Sequence, residues 1–374
     1  MTASKQYDVI VIGGGAAGLF CAFTAGQRGR SVLVLDSSNK VGKKILMSGG
    51  GRCNFTNLDI QPDNYLSANP HFCKSALNGY NQWQFIEMVE RHQIGYHERK
   101  HGELFCDNSA KDILTMLLDE CEQAGVSINT KCDIQAIANK ERGYRLQTSL
   151  GSYHCQSLVV ATGGLSIPTM GATGFGYEIA EQFGLDLLPR TAGLVPFTFT
   201  DWVKPICEGL SGLAVDVEMS VNGVSFRENL LFTHRGISGP AALQLSSYWQ
   251  PGQTISINLL PDMDAHQLLL SYKKSSAKSL LRNLLSQHLS KGLVLELQQR
   301  YWSEVADKPM AEIPDAVLME VAAQLENWQL KPSGTEGYRT AEVTLCGVDT
   351  DHLSSKTMEC KTQPGLYFVG EVMD

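Results

Sequence analysis

A short apolar strand, a glycine-rich turn and an apolar helix open the chain. Tyr7–Ile12 is rich in β-branched residues and predicts a buried strand, and Leu19–Gly29 predicts a helix just after the glycines. A second apolar run, Ser31–Leu35, predicts another strand and ends at Asp36. This alternation predicts a βαβ unit at the start of the protein.

The next part of the chain continues the mixture of helices and strands. His71–Gln93 is aromatic and helical in pattern, and Asp112–Ala124 places apolar residues on one side of a helix. Further strands are predicted at 126–129, 134–138, 144–148 and 158–161. The pattern therefore predicts an α/β fold with a largely buried sheet.

The pattern changes between about residues 191 and 332. Short alternating strands are predicted at 215–221, 223–226 and 254–259, and helical segments at 266–299 and 315–329. Apolar strands return at 342–348 and 365–369. We therefore expect a discontinuous α/β domain (1–190 and 333–374), an inserted β-rich domain (191–265) and a small helical domain (266–332).

Composition and charge narrow the class of protein. The 374 residues are 43% hydrophobic and carry a net charge of −8, which excludes a globally basic coat for nucleic acid. The ten cysteines are scattered without a C-x-x-C pair, as is typical of reduced intracellular thiols. A strand by Tyr7 leaves no room for a signal peptide, and no apolar run is long enough for a membrane helix. The composition predicts a soluble cytoplasmic protein; its oligomeric state stays open.

The first turn carries a dinucleotide-binding pattern. Gly13-x-Gly15-x-x-Gly18 follows a strand, and Asp36 ends the next strand. The first glycine permits the tight turn, Gly15 lets a pyrophosphate approach the backbone, and Gly18 lets helix and strand pack closely. Asp36 would accept hydrogen bonds from a ribose diol. The alternative is a glycine-rich turn without function. The preceding strand, the spacing of the glycines and the acid at Asp36 together favour a bound dinucleotide.

Two further segments favour FAD over NAD. The segment Gly365–Asp374 resembles the C-terminal motif of FAD-binding proteins, and Ala161-Thr162-Gly163 resembles their central motif. No second GxGxxG is available for a nicotinamide domain. NADH or NADPH would therefore visit the flavin only transiently.

Three stretches resemble one family. They are Lys43–Asn57 with its GGGRCNFTN run, Thr233–Pro240, and Thr357–Asp374. The chain resembles the BaiN/RdsA (YhiN-like) family of FAD flavoproteins over essentially its whole length. This resemblance implies a Rossmann-like FAD domain, a β-rich inserted domain, a helical domain, and a further C-terminal segment that contacts the flavin. Together with the first turn it implies these cofactor-binding residues: Gly13, Gly14, Gly15, Ala17, Gly18, Asp36, Gly42, Lys44, Gly50, Arg52, Asn54, Ile134, Thr162, Gly163, Gly370, Glu371 and Asp374.

The resemblance also implies an activity. Members of the family are reductases of carbon–carbon double bonds or small-amine oxidases, and the most similar branch resembles the dihydrouridine synthases of 23S ribosomal RNA. In that reaction the reduced flavin gives a hydride to C6 of a uracil and an acid protonates C5. The expected partner is 23S rRNA. The alternatives are a reductase or oxidase of a small enone or amine, and a flavin-binding assembly factor without turnover.

The expected catalytic residues are Cys53, His234 and Arg235. Cys53 lies in the polar glycine loop as a candidate proton donor, with Arg52 beside it to tune its pKa; alternatively, it only packs under the flavin. His234 and Arg235 would orient substrate or phosphate, or His234 is structural. Cys346 occupies a position where the family usually has glycine, which makes it a second thiol to test.

A basic segment is the local evidence for an RNA partner. Between Ser271 and Gly292 the chain has five cations and no acidic residue: Lys273, Lys274, Lys278, Arg282 and Lys291. Leucines of the same segment would pack one helix face and turn the cations outward, where they can contact phosphates. The alternative is an ordinary solvated helix surface. His92, His97 and His101 lack the spacing of metal ligands, so we expect no metal site.

Overall fold

The computed structural model describes residues 5–374 and divides the chain into two compact units. The first unit comprises Met1–Thr191 and Val343–Asp374, and the second comprises Ala192–Glu342. The chain therefore leaves the first unit once and returns to it for its last residues.

The main sheet of the first unit is built around a central parallel strand. This strand, β1 (Lys5–Ile12), pairs in parallel with β2 (Val32–Leu35) on one side and with Gly151–Val160 on the other. Leu366–Phe368 then adds in parallel to the carboxyl half of Gly151–Val160. The loops after these four strands therefore meet at one edge of the sheet, which is where such sheets bind ligands.

The other elements of the first unit extend and cover this sheet. Ser127–Asn129 pairs with β2, while Gly143–Thr148 and Ile134–Lys140 continue the sheet antiparallel beyond Gly151–Val160. A separate three-stranded sheet has the order β3 (Asn54–Asn57), Glu103–Cys106, Tyr96–Glu98. The α-helices are Ala16–Gln27 (α1), Lys43–Met47 (α2), Lys74–Gly79, Gln82–Arg91, Ala110–Gln123 and Phe175–Gln182.

The helix Ala110–Gln123 illustrates how the sequence produces these elements. Ser109 caps it by accepting a hydrogen bond from the backbone N–H of Lys111. Its buried residues include Ile113, Leu117 and Cys121, which recur at helical spacing and pack in the apolar core beneath the sheet. The amphipathic pattern expected from the sequence is confirmed, and the helix begins two residues earlier.

The second unit packs a mostly antiparallel sheet and six helices around one apolar core. Its strands are Phe197–Thr198, Ala214–Val221, Val224–Thr233, Gly236–Ser238, Ile255–Asn258, Trp328–Leu330 and Gly334–Thr335. Its helices are Val203–Gly209, Pro240–Ser246, Ala265–Ser275, Leu281–Leu285, Lys291–Tyr301 and Asp315–Glu326. Two short strands, Thr191–Gly193 and Val343–Leu345, lie where the chain passes between units. The division into a β-rich and a helical domain stays a prediction.

The α/β fold class with a Rossmann-like sheet is confirmed, but two helical segments differ from expectation. The segment 266–299 forms three helices rather than one continuous helical stretch. The helix expected over 315–329 ends at Glu326, because Trp328 and Leu330 are buried while Gln329 is exposed. That alternation is the pattern of a strand, and Trp328 pairs with Ile257 at the end of the sheet.

Candidate flavin site

The turn between β1 and α1 is closely packed on one side and open on the other. Gly13 has a φ of +104°, which favours glycine, and its N–H donates to the carbonyl of Leu35 at 2.8 Å. A Cβ on Gly18 would lie 1.9 Å from the carbonyl oxygen of Gly13, so helix and turn touch there. A Cβ on Gly15 would meet nothing within 4 Å. The turn therefore leaves room for a ligand beside Gly15.

The N-terminus of α1 faces this open side without a side-chain cap. Gly15 is the N-cap residue and makes no side-chain hydrogen bond to the first turn of the helix. Helix N-termini present unpaired N–H groups and a partial positive charge, which suits a phosphate. Open backbone and an uncapped helix end together fit the pyrophosphate of a dinucleotide.

Asp36 is held at the carboxyl end of β2 by two backbone N–H groups. Its Oδ2 accepts from Gly14 and its Oδ1 from Ser38, both at 2.7 Å. The Asp36 carbonyl accepts from the N–H of Cys132 at 3.0 Å, which brings the segment leading to Ile134 beside the acid. Each carboxylate oxygen keeps a second lone pair for a ribose hydroxyl.

The glycine-rich loop follows α2 and consists of consecutive left-handed residues. Gly49, Gly50 and Gly51 have φ values of +57°, +66° and +87°, and Cys53 follows with φ +50°. Cβ atoms on Gly50 would meet nothing within 4 Å. Gly42, at the start of α2, donates to the carbonyl of Gly14 at 2.9 Å. The loop is thus attached to the dinucleotide turn and is open at Gly50 and Gly51.

An ion pair connects α2 to the end of the chain. The Lys44 ammonium lies 2.7 Å from Oε2 of Glu371 and donates to the Ser166 hydroxyl at 2.8 Å. Oε1 of Glu371 accepts from Ser166 at 3.1 Å and from the N–H of Thr344 at 2.8 Å. Lys44 and Glu371 were expected from the sequence, whereas Ser166 and Thr344 were missed. Only the proximity of Ser166 to Ala161-Thr162-Gly163 could have indicated it.

The three FAD-type motifs meet at the same edge of the main sheet. A Cβ on Gly370 would lie 2.6 Å from Cβ of Ala17 in α1, so the last segment touches the first helix. Gly163 has φ +73°, and its Cβ position lies 3.8 Å from Glu371. Thr162 packs against Gly176, which begins the next helix region. The first unit therefore brings Gly13–Gly18, Thr162–Gly163 and Gly370–Glu371 together.

Asp374 adds a carboxylate to this edge. Its Oδ2 accepts from the Ser67 hydroxyl at 2.8 Å and from the N–H of Ala68 at 2.7 Å. Its Oδ1 is buried without a hydrogen-bond partner among residues 5–374. A buried acceptor of this kind fits a hydroxyl of the cofactor. The open turn, the uncapped helix end and the carboxylates of Asp36 and Asp374 together fit the phosphates and hydroxyls of FAD.

The two cysteines singled out from the sequence both have a thiol pKa raised above its ordinary value. Cys53 is 5% exposed, and burial raises the pKa of its thiol, with the Ser48 hydrogen bond acting in the opposite direction. Burial and the Asp374 carboxylate also raise the pKa of Cys346, whose φ of +62° is a conformation that favours glycine. Arg52 donates to the carbonyl of Asp107 instead of turning to Cys53. The expected tuning of Cys53 by Arg52 has no geometric support.

The remaining expected residues are Asn54 and Ile134 in the first unit and His234 and Arg235 in the second. Asn54 starts β3 and donates to Glu103 at 3.2 Å, and Ile134 starts a strand of the main sheet. His234 and Arg235 belong to the second unit, where His234 is exposed and Nη1 of Arg235 lies 3.5 Å from Glu336. Their substrate role stays a prediction.

The basic segment is less cationic than its sequence indicates. Lys273 lies 2.6 Å from Asp315 and Arg282 lies 2.9 Å from Asp307, so two of the five charges are paired. Lys274, Lys278 and Lys291 are exposed. The basic surface expected from the sequence is therefore reduced to three exposed lysines.

No cluster of three or more His, Cys, Asp or Glu residues among residues 5–374 could hold a metal ion. No helix in that range is long and apolar enough to cross a membrane.

Comparisons with known proteins agree with this architecture. The chain is 53% identical over 374 residues to the ribosomal RNA dihydrouridine synthase of Escherichia coli K12, covering 99% of this chain and 92% of that protein. It is 47% identical to the protein of the same name from Haemophilus influenzae Rd, covering 99% and 93%. A solved 3-ketosteroid-delta4-(5alpha)-dehydrogenase from Rhodococcus jostii RHA1 shares the fold at 15% identity, with a TM-score of 0.51 over 100% of this chain and 92% of that one.

A family model describes nearly the whole chain. The model of the HI0933-like protein Rossmann domain matches residues 7–374. The family identified from the glycine-rich motifs is confirmed by this match and by the two bacterial relatives. The chain belongs to the HI0933-like Rossmann-domain family.

Proposed function

We propose that this protein is an FAD-dependent dihydrouridine synthase that reduces the C5=C6 bond of a uridine in 23S ribosomal RNA. The observation that carries the proposal is 53% identity over nearly the full length of a ribosomal RNA dihydrouridine synthase. NADH or NADPH is the proposed source of electrons, and a ribosomal RNA substrate places the reaction in the cytoplasm. FAD, when bound and reduced by NADH or NADPH, would supply the hydride that is added to C6.

The first unit holds the cofactor through its backbone and a few fixed side chains. The turn at Gly15 and the N-terminus of α1 bind the diphosphate, and Asp36 binds the ribose. The Lys44–Glu371 ion pair keeps α2 against the segment that carries Gly370. These contacts orient the cofactor, which is the main task of the protein when a cofactor performs the hydride chemistry.

The proton for C5 is assigned to Sγ of Cys53. Addition of a hydride at C6 and a proton at C5 saturates the double bond, and solvent then returns a proton to the sulfur. Burial raises the pKa of the thiol, so the proton is present on the sulfur at neutral pH. Cys53 therefore meets the first requirement of a general acid.

Replacement of Cys53 by alanine tests this assignment. The Cys53→Ala protein should keep its flavin and its reduction by NAD(P)H, because neither step needs the thiol, but lose dihydrouridine formation by about 10²-fold or more. Cys207→Ala, at a buried thiol of the second unit, serves as the matched thiol control and should retain activity. Full activity of Cys53→Ala removes the thiol from the mechanism.

The experiment that tests the function is mass spectrometry of unmodified 23S rRNA after anaerobic incubation with flavin-loaded protein and NADH or NADPH. A gain of two hydrogens on one uridine is expected. A parallel reaction without NADH or NADPH controls for prior modification. If the flavin is reduced but the RNA mass is unchanged, the substrate is a small enone or amine instead. A flavin that NAD(P)H cannot reduce, with or without RNA, indicates a binding protein without turnover.

A further inference from the structure

Two arginines lie on the small sheet that continues from the glycine-rich loop. Arg52 immediately precedes Cys53, and Arg99 follows the strand Tyr96–Glu98. Both side chains are exposed. The Arg99 guanidinium lies over the ring of Phe105, 4.0 Å from its centroid, which restricts its position by a cation–π contact.

A hydrogen-bond network connects these two arginines. Arg52 donates to the backbone carbonyl of Asp107, whose carboxylate Oδ1 lies 2.7 Å from Nδ1 of His97. Nε of Arg99 donates to Nε2 of the same histidine at 3.4 Å. A neutral His97 with its proton on Nδ1 satisfies both contacts. The Asp107 carboxylate thus pairs with His97, and among residues 5–374 neither guanidinium has a carboxylate partner.

The network lies directly beside the loop that contains Cys53. The ring of Phe105 comes within 2.6 Å of where a Cβ on Gly49 would be, so the loop backbone packs on the ring that also supports Arg99. Phe105 pairs with Asn54 and with His97 in the sheet, which places these side chains on one face. The Arg99 guanidinium, the Phe105 ring and the glycine-rich loop therefore form one continuous surface.

The opposite face of this sheet carries a cluster of glutamates. Glu98 pairs with Leu104, and both line a pocket of about 440 Å³ together with Trp83, Glu87 and Glu90. Its three carboxylates would repel a nucleic-acid backbone. A polyanion that approaches the glycine loop is therefore favoured on the arginine face, where the carboxylates of Asp107 and Glu103 are held by His97 and Asn54.

We propose that Arg99 and Arg52 bind phosphates of the RNA strand next to the uridine that is reduced. The inference rests on the proposed function, because it names the contacts that hold the substrate of that reaction. Guanidinium groups suit this role since their planar donors match two phosphate oxygens. The network fixes both cations before RNA arrives, so little side-chain freedom is lost on binding.

Salt-dependent RNA binding by Arg99→Gln tests the proposal. The dissociation constant for unmodified 23S rRNA is measured at several salt concentrations for the flavin-loaded wild type and variant. The negative slope of log affinity against log salt should become shallower by about 1, because one phosphate contact is lost. Arg145→Gln is the matched control: Arg145 is an exposed arginine of the same unit whose Nε donates to Ser152. Its slope should equal that of the wild type.

The conservative variant Arg99→Lys distinguishes the effect of the positive charge from the effect of the fixed side-chain position. Arg99→Lys keeps the charge but loses the planar stacking on Phe105, so the salt slope should be kept while kcat/KM for RNA falls about tenfold. Flavin absorbance and the melting temperature of each variant show that the fold and cofactor are intact. Equal slopes for wild type, Arg99→Gln and Arg145→Gln overturn this inference alone. A wild type that shows no salt-dependent RNA binding overturns the proposed function as well.

Discussion

Gly15 and Gly18 belong to one turn but serve different purposes. Gly15 has φ −82°, which any residue adopts, and open space where its Cβ would be. Gly18 has the carbonyl of Gly13 in the place of a Cβ. The first glycine therefore provides room for a ligand, and the second provides contact within the protein.

Valine at Gly15 should consequently give a folded protein without flavin. The side chain enters the space needed by the pyrophosphate, and we expect flavin affinity to fall more than about tenfold, or about 1.4 kcal/mol. Gly18→Ala should instead lower the free energy of unfolding by about 1–3 kcal/mol through overpacking. Flavin absorbance and urea unfolding measure the two effects. A yellow Gly15→Val protein would contradict the phosphate position.

Buried thiols make the first unit less stable as the pH rises through the alkaline range. Burial raises the pKa of Cys155 from its ordinary value of 9.0 to about 12. Between these values the unfolded thiol loses its proton while the native thiol keeps it, so the native state binds more protons and stability falls as pH rises. The maximum slope is about 1.4 kcal/mol per pH unit for each such thiol.

Cys155→Ala should remove this contribution. The variant is less stable than the wild type at pH 8 because it loses packing, but the difference between them should shrink by about 1 kcal/mol from pH 9 to pH 10. Val160→Ala, at an equally buried and uncharged position, controls for packing and should keep a constant difference. Urea unfolding at each pH provides the measurement. If the difference in unfolding free energy between Cys155→Ala and the wild type stays constant, Cys155 is not the group that titrates.

At the scale of the element, the contact between α2 and the end of the chain depends on one ion pair. Lys44 and Glu371 are 40% and 25% exposed, so solvent screening limits their direct coupling to about 1 kcal/mol. Because the pair holds two segments at the flavin edge, Lys44→Met and Glu371→Gln should each weaken flavin binding. The double variant should be less than additive by about 1 kcal/mol.

Flavin titration of the four proteins in this cycle gives the coupling energy. The exposed pair Lys204–Glu208, at 3.7 Å in the second unit, provides the control, and Lys204→Met should leave flavin affinity unchanged. Additive effects of Lys44→Met and Glu371→Gln would show that each side chain binds flavin separately.

Elements defined by a local sequence pattern could be predicted, whereas an element that depends on contacts with distant residues could not. β1, α1 and β2 have a local pattern and a local motif, and the structure agrees with it closely. Trp328 and Gln329 fall within the helix predicted over 315–329, because the strand character of Trp328–Leu330 depends on pairing with Ile255–Asn258, about seventy residues earlier. A periodicity argument cannot see such a partner.

The residues of the candidate site likewise fall into those that the sequence predicted and those that it did not. Gly13, Gly15, Gly18 and Asp36 were predicted because backbone conformation and spacing alone define their roles. Ser166 and Thr344 were missed because they contact Glu371 only after three distant segments meet. The orientation of Arg52 was equally hidden, since its acceptor, the Asp107 carbonyl, belongs to the small sheet.

At the scale of the whole molecule, a net charge of −8 means that RNA binding must depend on local cations. Ion pairing distinguishes cations that are equivalent in the sequence: Lys278 and Lys291 are exposed, whereas Lys273 and Arg282 hold Asp315 and Asp307. An ion-paired cation must first break its own contact before it can neutralise a phosphate. The exposed lysines should therefore contribute more to the salt dependence.

Two double variants with the same change in net charge test this distinction. Lys278→Gln with Lys291→Gln should reduce the salt slope of 23S rRNA binding by about 2, and Lys273→Gln with Arg282→Gln by clearly less. Long-range repulsion is equal in the two proteins, so any difference between them measures direct phosphate contacts. Equal slopes in both variants and the wild type would make the segment an ordinary solvated surface. RNA contacts would then have to come from elsewhere, and Arg52 and Arg99 beside the glycine loop are the cations already fixed in position to make them.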